Sequence, residues 1–307
     1  MTRAVRFHEY GDPSVLRLED IPQPALTAGH VLLRVRATGV HPMDWKLRAG
    51  YLKEYMPLQL PHVPGYELAG TVEAVGDGVS NFHAGDDVFG QGSATYADQA
   101  VASASTLAKK PASMTFEQAA TLGLTGVTAW GVIEAASLEP GQRVLILGGA
   151  GGVGSIAVQL AHWKGAHVIA TTSTPNLDHV RALGADEVID YMATAFDAAV
   201  SGVDVVIDTV GGDTLDRSWT VLTPGGLLIT TAAMPDPDAA ASHRVRTAGP
   251  VRYENSTPVL ERLAALVTEG VIKPHVAETF PLARAADAHA ASQTGHGRGR
   301  RVLQLDS

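Results

Sequence analysis

Cysteine is absent from all 307 residues. That excludes disulfides, a thiolate nucleophile and every cysteine-ligated metal site. Long apolar runs are absent as well. The longest are strand-sized, far short of the roughly 20 residues that span a bilayer, and the opening MTRAVRFHEYGD lacks the apolar stretch of a signal peptide. Basic residues are the scarcer charge, 23 Lys and Arg against 32 Asp and Glu, for a formal net charge of −9. The short run Arg298 to Arg301 makes no basic face, so no nucleic-acid partner is expected. A cytoplasmic protein that meets neither membrane nor nucleic acid is the expectation.

What is present is an ordinary globular mixture, 45% apolar and 18% charged. A chain of this length exceeds what one core usually serves, so two domains are expected. Up to about residue 110, short strands are separated by Gly, Pro and Asp. Val31 to Ala37 alternates apolar and basic residues toward its C-terminal end, and Glu67 to Val75 and Asp87 to Gly90 continue the pattern. Past Pro111 the texture changes. Helical spacing runs through Ser113 to Leu122 and Thr125 to Ser137. Apolar strands at Val144 to Gly148, His167 to Thr172, Asp186 to Asp190, Val203 to Val210 and Gly226 to Thr231 then alternate with helices. That alternation predicts an α/β fold with a doubly wound parallel sheet. Residues 258–269 read as an amphipathic helix and 235–242 as a loose linker. The tail from His275 returns as a strand toward the first domain. The expected division is 1–110 with 275–307 as a β-rich domain, and 111–274 as the α/β domain.

Gly149-Ala-Gly151-Gly152-Val153-Gly154 fits G-x-G-x-x-G, directly after an apolar strand and at the start of an amphipathic helix. In that context the glycines allow a tight turn, and the helix N-terminus offers N–H groups to a pyrophosphate. NAD enzymes usually place an acid about 20 residues further on, where it holds the ribose hydroxyls. Here the second strand ends in Ser173-Thr-Pro-Asn176, and no acid appears before Asp178. Hydroxyl and amide donors suit a 2′-phosphate, so NADPH is the expected cofactor. Arg181, further along, reads as a solvated surface charge.

The stretches AVRFHEYGDPSVL (Ala4 to Leu16), GVHPMDWKLR (Gly39 to Arg48), VPGYELAG (Val63 to Gly70), LTGVTAW (Leu124 to Trp130) and ALGADEVIDY (Ala182 to Tyr191) join the glycine motif in a resemblance. The chain resembles the zinc-independent, zeta-crystallin-like quinone oxidoreductases among the medium-chain dehydrogenases/reductases. The resemblance covers essentially the whole length. It implies a GroES-like catalytic domain built from both chain ends, a Rossmann domain between them, an active site in the cleft and a homodimer. It also implies that Thr128 approaches the nicotinamide, that Thr209 and Val210 border the cofactor, and that Ser173, Asn176 and Tyr191 surround the adenosine phosphate. In zinc-dependent members a cysteine stands at the place of His41, and Gly-His-Glu replaces Gly65-Tyr66-Glu67. His41, His62 and Glu67 are of ligand type but lack a telling spacing, so no metal is expected.

Without a metal, another group must offset the charge that builds on a carbonyl oxygen as hydride arrives. Tyr51 is a candidate hydroxyl donor, or else a surface tyrosine. His41 is a candidate proton donor, its ordinary pKa of about 6.5 suiting both states, or else a satisfied polar residue lining the pocket. Asp44 is expected to anchor the turn around His41, and Glu67 to pair with Arg48 or Lys46. The expected activity is NADPH-dependent reduction of a small quinone or α,β-unsaturated carbonyl. Two alternatives stand beside it: enoyl reduction of a carrier-bound acyl or polyketide chain, and a non-catalytic NADPH-binding regulator or stress protein.

Overall fold

The computed structural model describes residues 1–295 and 297–305, and its contacts divide them into two units. The first holds Met1–Leu124, Glu254–Thr268 and the residues from Pro274 onward. Its main sheet runs in the order Val276–Pro281, Arg300–Gln304, His30–Val40, Glu67–Val75, Asp87–Gln91 and Leu107–Lys109, and Gln99–Ser103 also pairs with His30–Val40. Thr2–Arg6 and Arg17–Ile21 form a separate antiparallel pair. Alternation shapes the long strand. Leu33 and Val35 turn into a core with Leu68, Val88, Leu107 and Leu303, while Arg34 turns out to meet Glu73 at 2.9 Å. The C-terminal strand does return to this sheet, with Val302 opposite Gly39.

The second unit, Thr125–Tyr253 with Glu269–Lys273, carries six strands, all parallel. Their spatial order is Glu187–Asp190, His167–Thr172, Arg143–Leu147, Val203–Asp208, Leu222–Thr230, Arg246–Ala248. Numbered along the chain this is 3-2-1-4-5-6, the doubly wound dinucleotide-binding order, whose direction reverses between Arg143–Leu147 and Val203–Asp208. Leu145, Leu147, Ile169, Val206 and Leu228 fill the core against Phe196, Leu215 and Trp219. Strands buried on both faces are continuous apolar runs, which is why the sequence displayed them.

The structure departs from expectation in three places. The division falls between Leu124 and Thr125, and the helix Thr257–Thr268 joins the first unit, where Thr257 Oγ1 donates to the carbonyl of Leu107 at 2.8 Å. Residues Pro237–His243 form a helix, not a linker, with Asp236 as N-cap and Pro237 in the first turn. A sixth strand, Arg246–Ala248, was not foreseen. Among the described residues no helix is long and apolar enough to cross a membrane.

Candidate active site

In the second unit, the strand Arg143–Leu147 ends at the point where the strand order reverses, and Gly148 follows with φ +80°. L side chains rarely adopt that conformation, and a Cβ there would stand 2.8 Å from Thr209 Oγ1. The motif as read began at Gly149; the turn itself depends on its predecessor. Gly149 N donates to Thr171 O and Gly151 N to Gly148 O, both at 2.9 Å. Gly151 caps the helix Gly152–Trp163 without a side-chain cap bond, so the leading N–H groups, those of Gly152 and Val153 among them, remain donors for a ligand. A Cβ at Gly154 would collide with the Gly148 carbonyl. The close approach that a pyrophosphate requires is thus built into the turn.

The loop after Val203–Asp208 closes the same place. Buried Asp208 accepts from the N–H groups of Val210 at 2.9 Å and Gly211 at 3.1 Å, while Thr209 Oγ1 donates to Leu147 O at 2.7 Å. Val210 is 54% exposed beside the turn. Thr128 lies half-buried in the first turn of the helix Thr125–Ala136.

Ser173, Asn176 and Tyr191 come together at the ends of two neighbouring strands. Asn176 Nδ2 donates to Ser173 Oγ at 3.0 Å, and Tyr191 N donates to Thr172 O at 3.0 Å. The sequence reading missed one acid here, Asp190, which arrives from the adjacent strand. Its oxygens are engaged by Thr174 Oγ1 at 2.6 Å and Met192 N at 3.0 Å, so it closes the loop. Arg181 pairs with Asp178 at 2.8 Å on its own helix, a solvated ion pair as expected.

The first unit holds a buried polar cluster. Pro42 opens the helix Pro42–Arg48, and Asp44 reaches back so that its Oδ2 accepts from His41 N at 2.6 Å. The same oxygen accepts from Tyr96 Oη at 3.2 Å, and Tyr96 Oη lies 3.2 Å from His289 Nε2. Burial pushes the Asp44 carboxyl up, Tyr96 well above the ordinary tyrosine range, and His289 down to about 3. Asp44 therefore anchors the turn as foreseen.

Glu67 does not. It is fully buried, with Oε1 at 2.6 Å from His41 Nε2 and Oε2 accepting from Leu124 N at 2.9 Å. Its nearby guanidinium is that of Arg300, with Nε at 4.0 Å. The expected partners lie elsewhere. Lys46 sits over the Trp45 ring, and Arg48 is fully buried with no hydrogen-bond partner for its guanidinium among the described residues. Burial lowers the Arg48 pKa, and Asp12 opposes that shift. A Cβ at Gly39 would collide with the Glu67 carboxylate, so the pair fills its space completely.

Tyr51 stands apart from this cluster, 69% exposed, its ring edge-on to Trp45 at 6.0 Å. His62 exchanges main-chain hydrogen bonds with Phe7, and no three acids or histidines form a metal-holding group among the described residues. Tyr66 was also passed over; burial and Asp44 raise its phenol to about 12.

Two family models match the chain, one described as the alcohol dehydrogenase GroES-like domain over residues 27–153, the other as zinc-binding dehydrogenase over residues 183–303. Human quinone oxidoreductase is 31% identical across 99% of this chain and 98% of its own length. A chloroplastic NADPH-dependent alkenal/one oxidoreductase from Arabidopsis thaliana is 35% identical across 97% of this chain and 78% of its own. The solved quinone oxidoreductase of Coxiella burnetii superposes with a TM-score of 0.92, at 33% identity and 99% coverage of both chains. With two family models, relatives above 30% identity along nearly the whole chain, and the same fold in a solved relative, this chain belongs to the quinone oxidoreductase branch of the medium-chain dehydrogenase/reductase superfamily and is an oxidoreductase.

Proposed function

We propose that this enzyme uses NADPH to reduce a small quinone or α,β-unsaturated carbonyl, without zinc. The observation that carries the reading is the turn Gly148–Gly154, set where the strand order reverses and bordered by Thr209 and Val210. Gly152 and Val153 hold the pyrophosphate with their N–H groups, and Ser173, Asn176 and Tyr191 enclose the 2′-phosphate. Thr128 flanks the nicotinamide. Bound NADPH supplies the hydride.

Zinc independence is supported by a distance. A zinc ion shared by two ligands needs them about 3.3 Å apart, from two bonds of about 2.0 Å at the tetrahedral angle. His41 Nε2 and Glu67 Oε1 are 2.6 Å apart and bond to each other. Tyr51 and His41 are the candidate donors to the substrate oxygen. A cytoplasmic homodimer acting on a small molecule completes this reading.

The test is oxidation of NADPH and NADH by metal-stripped protein, followed by the nicotinamide absorbance, with quinones and enones as acceptors. NADPH-selective turnover supports the reading. Turnover that appears only on adding zinc overturns the mechanism, and silence with both acceptor classes overturns the substrate assignment.

A further inference from the structure

Asp190 stands in the ladder opposite Thr172, the last residue of the strand His167–Thr172. NAD enzymes carry their ribose-binding acid at that strand end itself. Here an acid comes from the neighbouring strand, and its carboxylate is turned to the loop. Oδ1 accepts from Met192 N at 3.0 Å, and Oδ2 accepts from Thr174 Oγ1 at 2.6 Å. The carbonyl of Asp190 is held as well, by the N–H groups of Ala193 at 3.1 Å and Thr194 at 2.9 Å. Asp190 is thus fixed on its own strand, and Thr174 is tied to it. Thr174 opens the 3₁₀ turn Thr174–Asn176, between the two side chains that meet each other, Ser173 and Asn176. Asn176 N also donates to Ser173 O at 2.8 Å, so the turn moves as one piece. A hydroxyl donating to a carboxylate makes one of the stronger hydrogen bonds, and this one joins that piece to the strand Glu187–Asp190. All of these residues belong to the second unit, as the glycine turn does.

We propose that Asp190 determines cofactor choice as a positioning residue, acting through Thr174. Tied to Asp190, the turn presents Ser173 and Asn176 to the 2′-phosphate, and the same bond keeps the carboxylate directed at Thr174 instead of at the ribose. This rests on the reading of the Ser173–Asn176 loop as the 2′-phosphate site. Cutting the bond acts twice in one direction. The loop loses its set position, which only the phosphorylated nucleotide uses. The released carboxylate repels a phosphate, while it can accept from a bare ribose diol. A bond that served the fold alone would weaken both nucleotides equally.

Titrations of the full-length protein with NADPH and NADH, followed by the fluorescence of the reduced nicotinamide, test this. Thr174 is exposed, so its replacement leaves the core untouched. Thr174→Val is expected to raise the NADPH Kd about tenfold, and to lower the NADH Kd or leave it within about twofold. Thr174→Ser keeps the hydroxyl and is expected to bind both nucleotides as the wild type does. In an Asp190→Ala background, Thr174→Val is expected to change neither Kd further. The charge of Asp190 is gone from both arms of that comparison, so the cycle isolates the bond. Equal weakening of both nucleotides by Thr174→Val, or the same NADPH loss with and without Asp190, would overturn the proposal. Ser173→Asp, measured beside these variants, tests the reading beneath it. An NADPH Kd unmoved by Ser173→Asp overturns the loop as the 2′-phosphate site. A selective NADPH loss in Ser173→Asp, with none in Thr174→Val, overturns the role of Asp190 alone.

Discussion

Thr209 Oγ1 donates a hydrogen bond to the carbonyl of Leu147 at 2.7 Å, and the Cβ that Gly148 lacks would stand 2.8 Å from that same hydroxyl. The loops after the first and fourth strands of the parallel sheet are thereby one surface, and a side chain at residue 148 would part them. Gly148→Ala is expected to cost about 1–3 kcal/mol of stability from its left-handed backbone alone, and to weaken NADPH binding at least about tenfold. Thermal melting and a nucleotide-fluorescence titration read the two effects separately. An alanine variant that binds NADPH normally would remove the turn from the cofactor site.

The strand-end loop offers a sharper test of cofactor choice. Ser173 and Asn176 are joined at 3.0 Å, and the neighbouring Asp190 carboxylate is held by Thr174 Oγ1 and Met192 N. Ser173→Asp sets a new charge against the 2′-phosphate. NADPH affinity is expected to fall about tenfold or more while NADH binding holds or improves. Parallel loss of both nucleotides would show that the loop is not where they differ.

These elements were legible because their signals are local. His167–Thr172 has the same bounds in sequence and structure, as its buried stretch from Val168 is made of apolar and β-branched residues. The strand Arg246–Ala248 is three residues, one of them charged, and carries no such run. The helix Pro237–His243 did have a readable start, Asp236 then Pro237, which its alanine-rich, turn-like composition obscured. The partners of Glu67 lie at the other extreme. Arg48 and Lys46 were chosen from a helix read as adjoining the site, but folding brings His41 and, from the far end of the sequence, Arg300. The Tyr96–His289 contact joins residues 193 positions apart. No motif announces a pairing set by strand order.

His289 gives the fold a distinct response to acid. Fully buried against Tyr96, it has its pKa lowered from 6.5 to about 3, first by burial and then by the charge of Arg48. Between those values the unfolded chain holds a proton that the native one refuses. Stability contributed by neutral His289 is complete above pH 6.5 and is lost as the pH falls toward 3. His289→Gln keeps a hydrogen-bonding group near Tyr96 Oη without the titration, so its denaturation free energy should fall less steeply with acid than that of the wild type. Urea melts across that window compare the two slopes, and equal slopes would mean that His289 titrates normally.

Tyr51 is where exposure and chemistry can be separated. At 69% exposed, with its ring edge against Trp45, it contributes little to the fold, and Tyr51→Phe should change stability by less than about 0.5 kcal/mol. The substitution deletes one hydroxyl and no packing. If that hydroxyl donates to the substrate oxygen as charge builds there, kcat should fall by about ten- to a hundredfold, because such a donor acts chiefly in the transition state. NADPH affinity should stay as it is, since no part of the nucleotide site described above involves Tyr51. Steady-state kinetics with an enone, beside a melting curve, decide it. A kcat within twofold of wild type would make Tyr51 a surface residue and leave His41 as the donor on which the reduction depends.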